Sequence, residues 1–133
     1  MKYDLVILAA GLGSRLKSLT KNIPKAMVKY KGRRFIEIQI NNIDKKYINK
    51  FIIVLGYKST VLKKFLSKKF PEIKFEFVYN KNFRNNNSGQ SFFYAYKKIV
   101  TKEYIHLNCD CIFSKKHFKK LIKSKFKNII SVR

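Results

Sequence analysis

Residues 3–27 read YDLVILAAGLGSRLKSLTKNIPKAM and join an apolar run to a glycine-containing loop. The run is short and rich in Val, Ile and Leu, which predicts a β-strand over residues 3–10. Gly11 and Gly13 follow it directly, and their missing side chains let backbone N–H groups approach a ligand closely. A buried strand that leads into such a loop indicates a phosphate-binding site in an α/β fold.

Two familiar phosphate-binding loops are excluded by the residues that follow the glycine pair. A P-loop ends in Gly-Lys-Ser/Thr, whereas this loop continues with Ser14 and Arg15 after Gly13. The dinucleotide-binding fingerprint has a third glycine where Leu16 stands, and no acidic residue ends the second predicted strand. The loop also carries Arg15 and a Pro-Lys pair that ends in Lys25, and this combination is far more specific than two glycines alone.

Alternating apolar runs and amphipathic segments predict the rest of the fold. Further strands are predicted over residues 51–55, 74–79, 104–108 and 128–132, with helices around residues 35–47, 61–66, 92–100 and 118–122. Ser59 or Thr60 is the expected N-cap of the second helix, and Ser114 that of the fourth. This order predicts an α/β three-layer sandwich around a mostly parallel sheet, with the ligand at the carboxyl ends of the strands.

Length and composition narrow the class of protein. A chain of 133 residues with 46% hydrophobic residues suits one compact domain over residues 1–133, and it has no apolar run of the roughly 18 residues that a membrane helix needs. Cys109 and Cys111 are interpreted as reduced, small apolar residues, and a cytoplasmic location is expected.

The charge is extreme, with 31 Lys and Arg against 7 Asp and Glu and a net charge of +24. Such a surface attracts polyanions, which leaves a nucleic-acid-binding domain as one alternative. The other interpretation is a set of solvated helix faces in a protein from an A/T-rich genome. Because the lysines are spread over every predicted helix, we favour the second and expect no specific nucleic acid and no membrane as partners.

The motifs LAAGLGSRL at residues 8–16, SLT at 18–20 and PK at 24–25 resemble the opening of the nucleotidyltransferase family that makes activated sugars and cytidylyl compounds. Ser18 stands where the family usually has proline. The resemblance continues through IVLGY at residues 53–57 and LNCD at 107–110, and it covers nearly the whole chain. The phosphocholine cytidylyltransferase-like branch is the nearest. The resemblance implies a Rossmann-like nucleotidyltransferase fold.

The same family resemblance also implies a reaction and a set of site residues. An acceptor phosphate oxygen would attack the α-phosphorus of a nucleoside triphosphate and expel pyrophosphate, with Mg²⁺ as cofactor. Arg15 and Lys25 would be catalytic, Arg15 at the β,γ-phosphates and Lys25 at the α-phosphate, and Asp110 would hold the metal. The nucleotide-binding residues would be Leu8, Ala9, Ala10, Gly11, Leu12, Gly13, Ser14, Arg15, Lys25, Asn87 and Ser88.

Each of these residues also has a simpler interpretation. Arg15 and Lys25 could be solvated loop cations, and Asp110 could be a turn-forming residue or a helix N-cap. Asn87 and Ser88 could belong to an ordinary polar turn with a cap, an alternative that the sequence leaves open.

Members of this family are usually far longer, and no Asp or Glu follows Asp110. The chain is therefore expected to be the N-terminal, nucleotide-binding part of a truncated or split enzyme that binds a nucleoside triphosphate and a phosphorylated small-molecule acceptor. The acceptor-binding part and a second metal-binding aspartate would be missing. The alternative is an inactive nucleotide-binding remnant, or a subunit completed by a second copy or another chain.

Overall fold

The computed structural model describes residues 1–85 and 87–125, which form six strands, four α-helices and three short 3-10 segments. The strands are β1 (Tyr3–Ala9), β2 (Lys29–Tyr30), β3 (Arg33–Arg34), β4 (Ile48–Leu55), β5 (Phe75–Tyr79) and β6 (Tyr104–Asn108). The helices are α1 (Phe35–Asn42), α2 (Ser59–Lys69), α3 (Ser88–Tyr96) and α4 (Lys115–Ile122). The 3-10 segments are Ser14–Thr20, Lys25–Met27 and Lys45–Tyr47. Within the described ranges, no helix is long and apolar enough to cross a membrane.

Four strands form a parallel sheet in the order β5-β4-β1-β6, and β2 and β3 form a small antiparallel hairpin. β1 is central, with Leu8 paired to Val54 on one side and to Asn108 on the other. β4 and β5 are added on one side of β1, whereas β6 lies on the other. The strand order therefore reverses between β1 and β6, and the crevice at the carboxyl ends of these two strands is where such sheets bind ligands.

Helices cover both faces of the sheet. On one face, Ile40 of α1, Leu66 of α2 and Phe118 of α4 belong to a buried core that includes Leu5 and Ile53 of the strands. On the other face, α3 packs through Ala95 against a second core of β1 and β4 residues, which are Val6, Leu8, Ile52 and Val54. The predicted three-layer α/β sandwich with a mostly parallel sheet is thus confirmed.

The helix predicted over residues 35–47 is shorter than expected. α1 ends at Asn42 because Ile43 adopts an extended backbone, with φ −84° and ψ 128°, and its side chain is buried in the first core. Residues 45–47 form a separate 3-10 turn. Burial of one isoleucine in the core thus ends the helix where periodicity alone would continue it.

The structure confirms one of the two predicted helix caps, and it buries only part of the predicted apolar face of the third helix. Ser114 caps α4 as predicted, and its Oγ accepts the His117 N–H at 3.2 Å. α2 instead begins after Lys58, which is left-handed at φ 51°, without a side-chain cap. The sequence pattern predicts an apolar helix face formed by Phe92, Phe93, Tyr96, Ile99 and Val100. Phe92 and Ile99 pack against the second core, whereas Phe93 and Tyr96 are each 58% exposed, and Ala95 is the fully buried residue of α3. The strand predicted at residues 128–132 lies outside the described residues.

Candidate functional site

The carboxyl ends of four parallel strands bring four loops to one edge of the sheet. The glycine loop follows β1, Gly56 and Tyr57 follow β4, Asn80 follows β5, and Asp110 follows β6. Segments that are far apart in sequence therefore meet around the point where the strand order reverses. This arrangement explains why the polar and glycine residues of the motifs cluster directly after strands.

Gly13 is required by the loop itself. Its φ is 63°, and a Cβ at this position would lie 3.0 Å from Thr20 Cγ2 and 3.1 Å from Lys25 Cβ. The buried Thr20 hydroxyl donates to the Gly13 carbonyl at 3.0 Å, and the Leu16 N–H donates to the same carbonyl at 2.9 Å. The loop thus folds back on itself, and Gly13 holds it against the segment that carries Lys25.

Gly11 is different, because no contact among residues 1–85 and 87–125 accounts for a glycine there. A Cβ added to Gly11 would have no heavy atom within 4 Å beyond its neighbours, and the residue is exposed at the end of β1. An open position of this kind lets a ligand approach the backbone closely. Gly11 therefore leaves the backbone of one side of the loop accessible to solvent.

Lys25 and Asp110 meet across this site. The Lys25 Nζ lies 2.5 Å from Asp110 Oδ2, and the two side chains are 34% and 39% exposed. Lys25 begins the 3-10 segment after the buried Pro24, and Asp110 lies in the turn after β6. Asp110 is not a helix cap, since Ser114 caps α4. The structure brings together the two residues that the sequence proposes as α-phosphate and metal ligands.

The other proposed nucleotide ligands occupy several environments. Leu8, Ala9 and Ala10 are buried at the end of β1, Leu12 is half-buried, and Ser14 and Arg15 are exposed where the 3-10 segment begins. Asn87 is the N-cap of α3, and its Oδ1 accepts the Gln90 N–H at 3.0 Å. This cap accounts for Asn87 without any ligand. Ser88 is exposed in the first turn of the same helix.

Tyr57 is a residue whose role the sequence did not predict. Its N–H donates to the Ala10 carbonyl at 2.9 Å, at the near end of the glycine loop. Its hydroxyl lies 2.9 Å from the Thr20 carbonyl and 2.8 Å from that of Lys21, at the far end. One residue therefore connects both ends of the loop to the end of β4. The tyrosine after the strand-end glycine was the available signal, but the hydrogen-bond partners require the fold.

Asn80 is a second such residue, and it is almost fully buried beside the site. Its Nδ2 donates to Ser91 Oγ at 2.9 Å, which ties the end of β5 to α3. Its Oδ1 accepts the Asn82 N–H at 3.0 Å. The turn after β5 is thereby fixed relative to the helix that Asn87 caps.

The thiol beside Asp110 is not a nucleophile. Burial raises the pKa of Cys109 to about 12, and the charge of Asp110 acts in the same direction while Lys25 opposes it. The thiol is therefore neutral near pH 7 and packs as a small apolar group, as predicted. Cys111 is exposed, and both cysteines are free.

The donor set around Asp110 fits one mode of magnesium binding. Across residues 1–85 and 87–125, no group of three or more His, Cys, Asp or Glu side chains could hold a metal by itself. Mg²⁺ is commonly bound through one or two carboxylates, with phosphates and water completing its octahedron. A single half-exposed carboxylate next to an open phosphate-binding loop suits that mode, and it does not suit a metal site built from protein ligands alone.

A family model for nucleotidyl transferases matches residues 5–129. The chain belongs to the nucleotidyl transferase family. The resemblance based on the glycine loop and on the strand-end motifs is thus confirmed.

Individual relatives fit the same family. The chain is 36% identical over 127 residues to CTP:phosphoglutamine cytidylyltransferase of Campylobacter jejuni. This alignment covers 92% of this chain and 49% of the relative. The chain is 32% identical over 108 residues to D-glycero-alpha-D-manno-heptose 1-phosphate guanylyltransferase of the same organism, covering 81% and 48%. The structure of CTP:phosphocholine cytidylyltransferase from Streptococcus pneumoniae superposes with a TM-score of 0.68 at 30% identity, covering 87% of this chain and 50% of that one. The chain therefore has the Rossmann-like nucleotidyltransferase fold and spans about half the length of these relatives.

Proposed function

We propose that this chain forms the nucleotide-binding half of a Mg²⁺-dependent nucleotidyltransferase. The enzyme would transfer a nucleoside monophosphate from a nucleoside triphosphate to a phosphorylated small molecule, such as a sugar 1-phosphate or phosphocholine. The observation that carries the proposal is the Lys25–Asp110 ion pair, whose lysine packs against Gly13 of the glycine loop. One cation, one carboxylate and an exposed backbone loop converge there at the reversal of strand order, which is the composition that a magnesium triphosphate requires.

The proposed chemistry assigns a task to each part of the site. An acceptor phosphate oxygen forms a bond to the α-phosphorus while the bond from that phosphorus to the pyrophosphate oxygen breaks. The Lys25 ammonium stabilises the charge that develops on the α-phosphate, and the Arg15 guanidinium offers paired donors to the departing pyrophosphate. Backbone N–H groups at Gly11–Gly13 would hold phosphate oxygens, and Asp110 would hold the metal, which would supply positive charge to the phosphates.

Calorimetric titration of each common triphosphate with MgCl₂ tests the binding half of the proposal. Wild type is expected to bind at least one triphosphate, and Arg15→Ala should weaken binding by about 3 kcal/mol or less, since charged hydrogen bonds contribute about 1.5–3 kcal/mol each. The matched control is Lys68→Ala. Lys68 is exposed near the end of α2 that points away from the carboxyl edge of the sheet, so this variant loses the same charge outside the site. Equal losses in the two variants would mean that the general positive field, and not this loop, attracts the nucleotide.

A second candidate function is a nucleotide-binding subunit that another polypeptide or a second copy completes. The observation that favours it is the outer edge of β6, which pairs with no other strand among the described residues and leaves Tyr104 44% exposed. Pyrophosphate release from the four triphosphates, with sugar 1-phosphates and phosphocholine as acceptors, distinguishes the two candidates. Turnover near 1 per second or faster, within the usual enzyme range, would establish a self-sufficient enzyme. Tight binding with very slow turnover, which we expect, favours a half that needs completion, because unpositioned acceptors lose most of the rate advantage.

A further inference from the structure

Gln39 is a polar side chain buried where the pattern of α1 calls for an apolar one. It is 0% exposed and lies on the helix next to Ile38 and Ile40, which are also buried. Its Nε2 donates to two backbone carbonyls, that of Asn108 at 2.7 Å and that of Cys111 at 2.8 Å. A buried amide that gives both of its protons to one turn is a specific structural device, because an apolar side chain of similar size could fill the same space.

The two carbonyls lie on either side of Asp110. The Cys111 N–H donates to the Asn108 carbonyl at 3.2 Å and closes the turn, so that this carbonyl accepts from both the turn and Gln39. One helical turn further along α1, Asn42 Nδ2 donates to the Phe113 carbonyl at 2.6 Å. Residues three apart on a helix lie on the same face, and α1 therefore binds this part of the chain at three backbone carbonyls, those of residues 108, 111 and 113.

The orientation of the Gln39 amide is fixed by this arrangement. Rotating the amide by 180° would place Oε1 against two carbonyl oxygens, which cannot donate to it. In the orientation observed, Oε1 is buried and has no hydrogen-bond donor among the described residues. The amide thus satisfies two backbone carbonyls of the turn, although its own oxygen is left without a donor. This arrangement indicates that the side chain stabilises the turn.

α1 also contacts the segment that carries Lys25. The Phe35 N–H at the start of the helix donates to the Val28 carbonyl at 3.1 Å, directly after the 3-10 segment Lys25–Met27. The same helix thus fixes both backbones whose side chains form the Lys25–Asp110 pair.

We propose that Gln39 is a positioning residue that fixes the turn 108–111 so that the Asp110 carboxylate faces Lys25 and the glycine loop. Its role toward a magnesium triphosphate rests on the proposed function. Its role in holding the turn does not, and this difference allows the two to be tested separately.

The test compares Gln39→Met with Ile40→Val. Gln39→Met keeps the side-chain length and removes both donors, and Ile40→Val makes a buried change at the next position of the same helix without touching the turn. The first readout is hydrogen exchange of the Cys109 and Cys111 amides without nucleotide, at a temperature where both variants are folded by circular dichroism. The second is triphosphate affinity with and without MgCl₂.

Gln39→Met is expected to accelerate exchange at Cys111 and to reduce the magnesium-dependent part of the affinity by about tenfold, as supporting groups behind metal ligands commonly do. Binding without magnesium should change less than about twofold, since the glycine loop is intact. Ile40→Val should change neither readout. Equal effects of the two variants, or no effect of Gln39→Met, would reduce Gln39 to a core residue and overturn the proposal.

The hydrogen-exchange measurement tests whether Gln39 positions the turn even if wild type binds no magnesium triphosphate. In that case the proposed function fails, while faster exchange at Cys111 in Gln39→Met alone still supports the positioning of the turn. If Gln39→Met does not fold, Gln39→Asn takes its place in both arms. The shorter amide keeps its polarity but cannot span both carbonyls, so the same two results are expected of it.

Discussion

The Lys25 ammonium lies 2.5 Å from the Asp110 carboxylate, so the proposed α-phosphate ligand and the proposed metal ligand neutralise each other. Both side chains remain about one-third exposed, which lets water and ions reach them. A magnesium triphosphate offers a cation to Asp110 and an anion to Lys25, and its binding exchanges one ion pair for two. Under the proposed function, the metal and the nucleotide would therefore bind together more favourably than either alone.

Replacing Lys25 should consequently have opposite effects on two ligands. Lys25→Met removes the competing ammonium, and the weak binding of Mn²⁺ alone that a single carboxylate allows should strengthen by about 1 kcal/mol, or roughly fivefold, the upper range for exposed ion pairs. The same variant should bind the triphosphate more weakly than wild type. Electron paramagnetic resonance of free Mn²⁺ and calorimetry measure the two effects. Weaker binding of both ligands would contradict competition between Lys25 and the metal.

Substituting the two loop glycines one at a time should affect different properties, the stability of the fold at Gly13 and the triphosphate affinity at Gly11. Gly13→Ala places a side chain at φ 63° and within 3.1 Å of Thr20 and Lys25, and it should lower the free energy of unfolding by at least about 1–2 kcal/mol, the cost of the left-handed region. Gly11→Ala adds its Cβ to open space, so its thermal midpoint should stay near that of wild type while triphosphate affinity falls. Thermal unfolding and calorimetry on both variants check this. Unchanged affinity in a folded Gly11→Ala protein would place the phosphates elsewhere.

Tyr57 should contribute to affinity through the loop that it connects. Tyr57→Phe removes only the hydroxyl that reaches the Thr20 and Lys21 carbonyls. A lost hydrogen bond of this kind costs about 1 kcal/mol, and triphosphate affinity should fall by roughly fivefold as the far end of the loop loosens. Tyr47→Phe is the control, because Tyr47 lies in the 3-10 turn before β4, away from the glycine loop. Equal affinities for wild type and Tyr57→Phe would limit Tyr57 to its backbone contact.

The parts of the fold that sequence predicts well are those with a strong local signal. The strands of the main sheet are runs of β-branched and aromatic residues, and β6 begins and ends where the pattern indicates. The glycine loop carries its own motif, and the family resemblance is what assigned Lys25 and Asp110 to the same site.

The residues that sequence missed act through contacts distant in the chain. Gln39 interrupts the apolar pattern of α1, but only its hydrogen bonds to the carbonyls of residues 108 and 111 show what its side chain does. The hairpin of β2 and β3 was missed because two-residue strands have almost no periodicity, although Lys31 and Gly32 both have positive φ at its turn. For α3 the pattern includes Phe92, which does pack against the second core, but it does not distinguish this residue from the exposed Phe93 and Tyr96.

Asp4 lies near the amino end of the central strand β1, on the side of the sheet opposite the site. Its buried carboxylate belongs to a hydrogen-bond network that we expect to stabilise the folded state. Its carboxylate accepts the Val100 N–H at 2.6 Å, the Thr101 N–H at 3.2 Å and the Asn49 amide at 2.8 Å. Burial alone would raise the pKa of Asp4, but these hydrogen bonds and the charge of Lys50 outweigh it and hold the pKa below its ordinary value of 3.8. The carboxylate form therefore stabilises the folded state.

The sign of the pH dependence follows from the lowered pKa. The stabilisation by Asp4 is present above pH 3.8 and is lost as the pH falls below that value through the lower pKa of the folded state. Asp4→Asn should lose about 1–3 kcal/mol at pH 7, because a buried donor is left unpaired, and should lose less than wild type on acidification. Urea unfolding at pH 7 and pH 3 measures both, with the partly exposed Asp44→Asn as control. Equal acid sensitivity of wild type and Asp4→Asn would contradict this role.

The most direct test of the account is the gain in triphosphate affinity on adding MgCl₂, measured by calorimetry for wild type and Asp110→Asn. The amide keeps the size of the side chain and removes the charge that holds the metal, while the glycine loop is unchanged. The account predicts a clear magnesium-dependent gain for wild type that Asp110→Asn largely loses, with the same circular dichroism spectrum for both proteins. A gain of the same size in both would contradict the account, because the metal would then bind the nucleotide without the residue that pairs with Lys25.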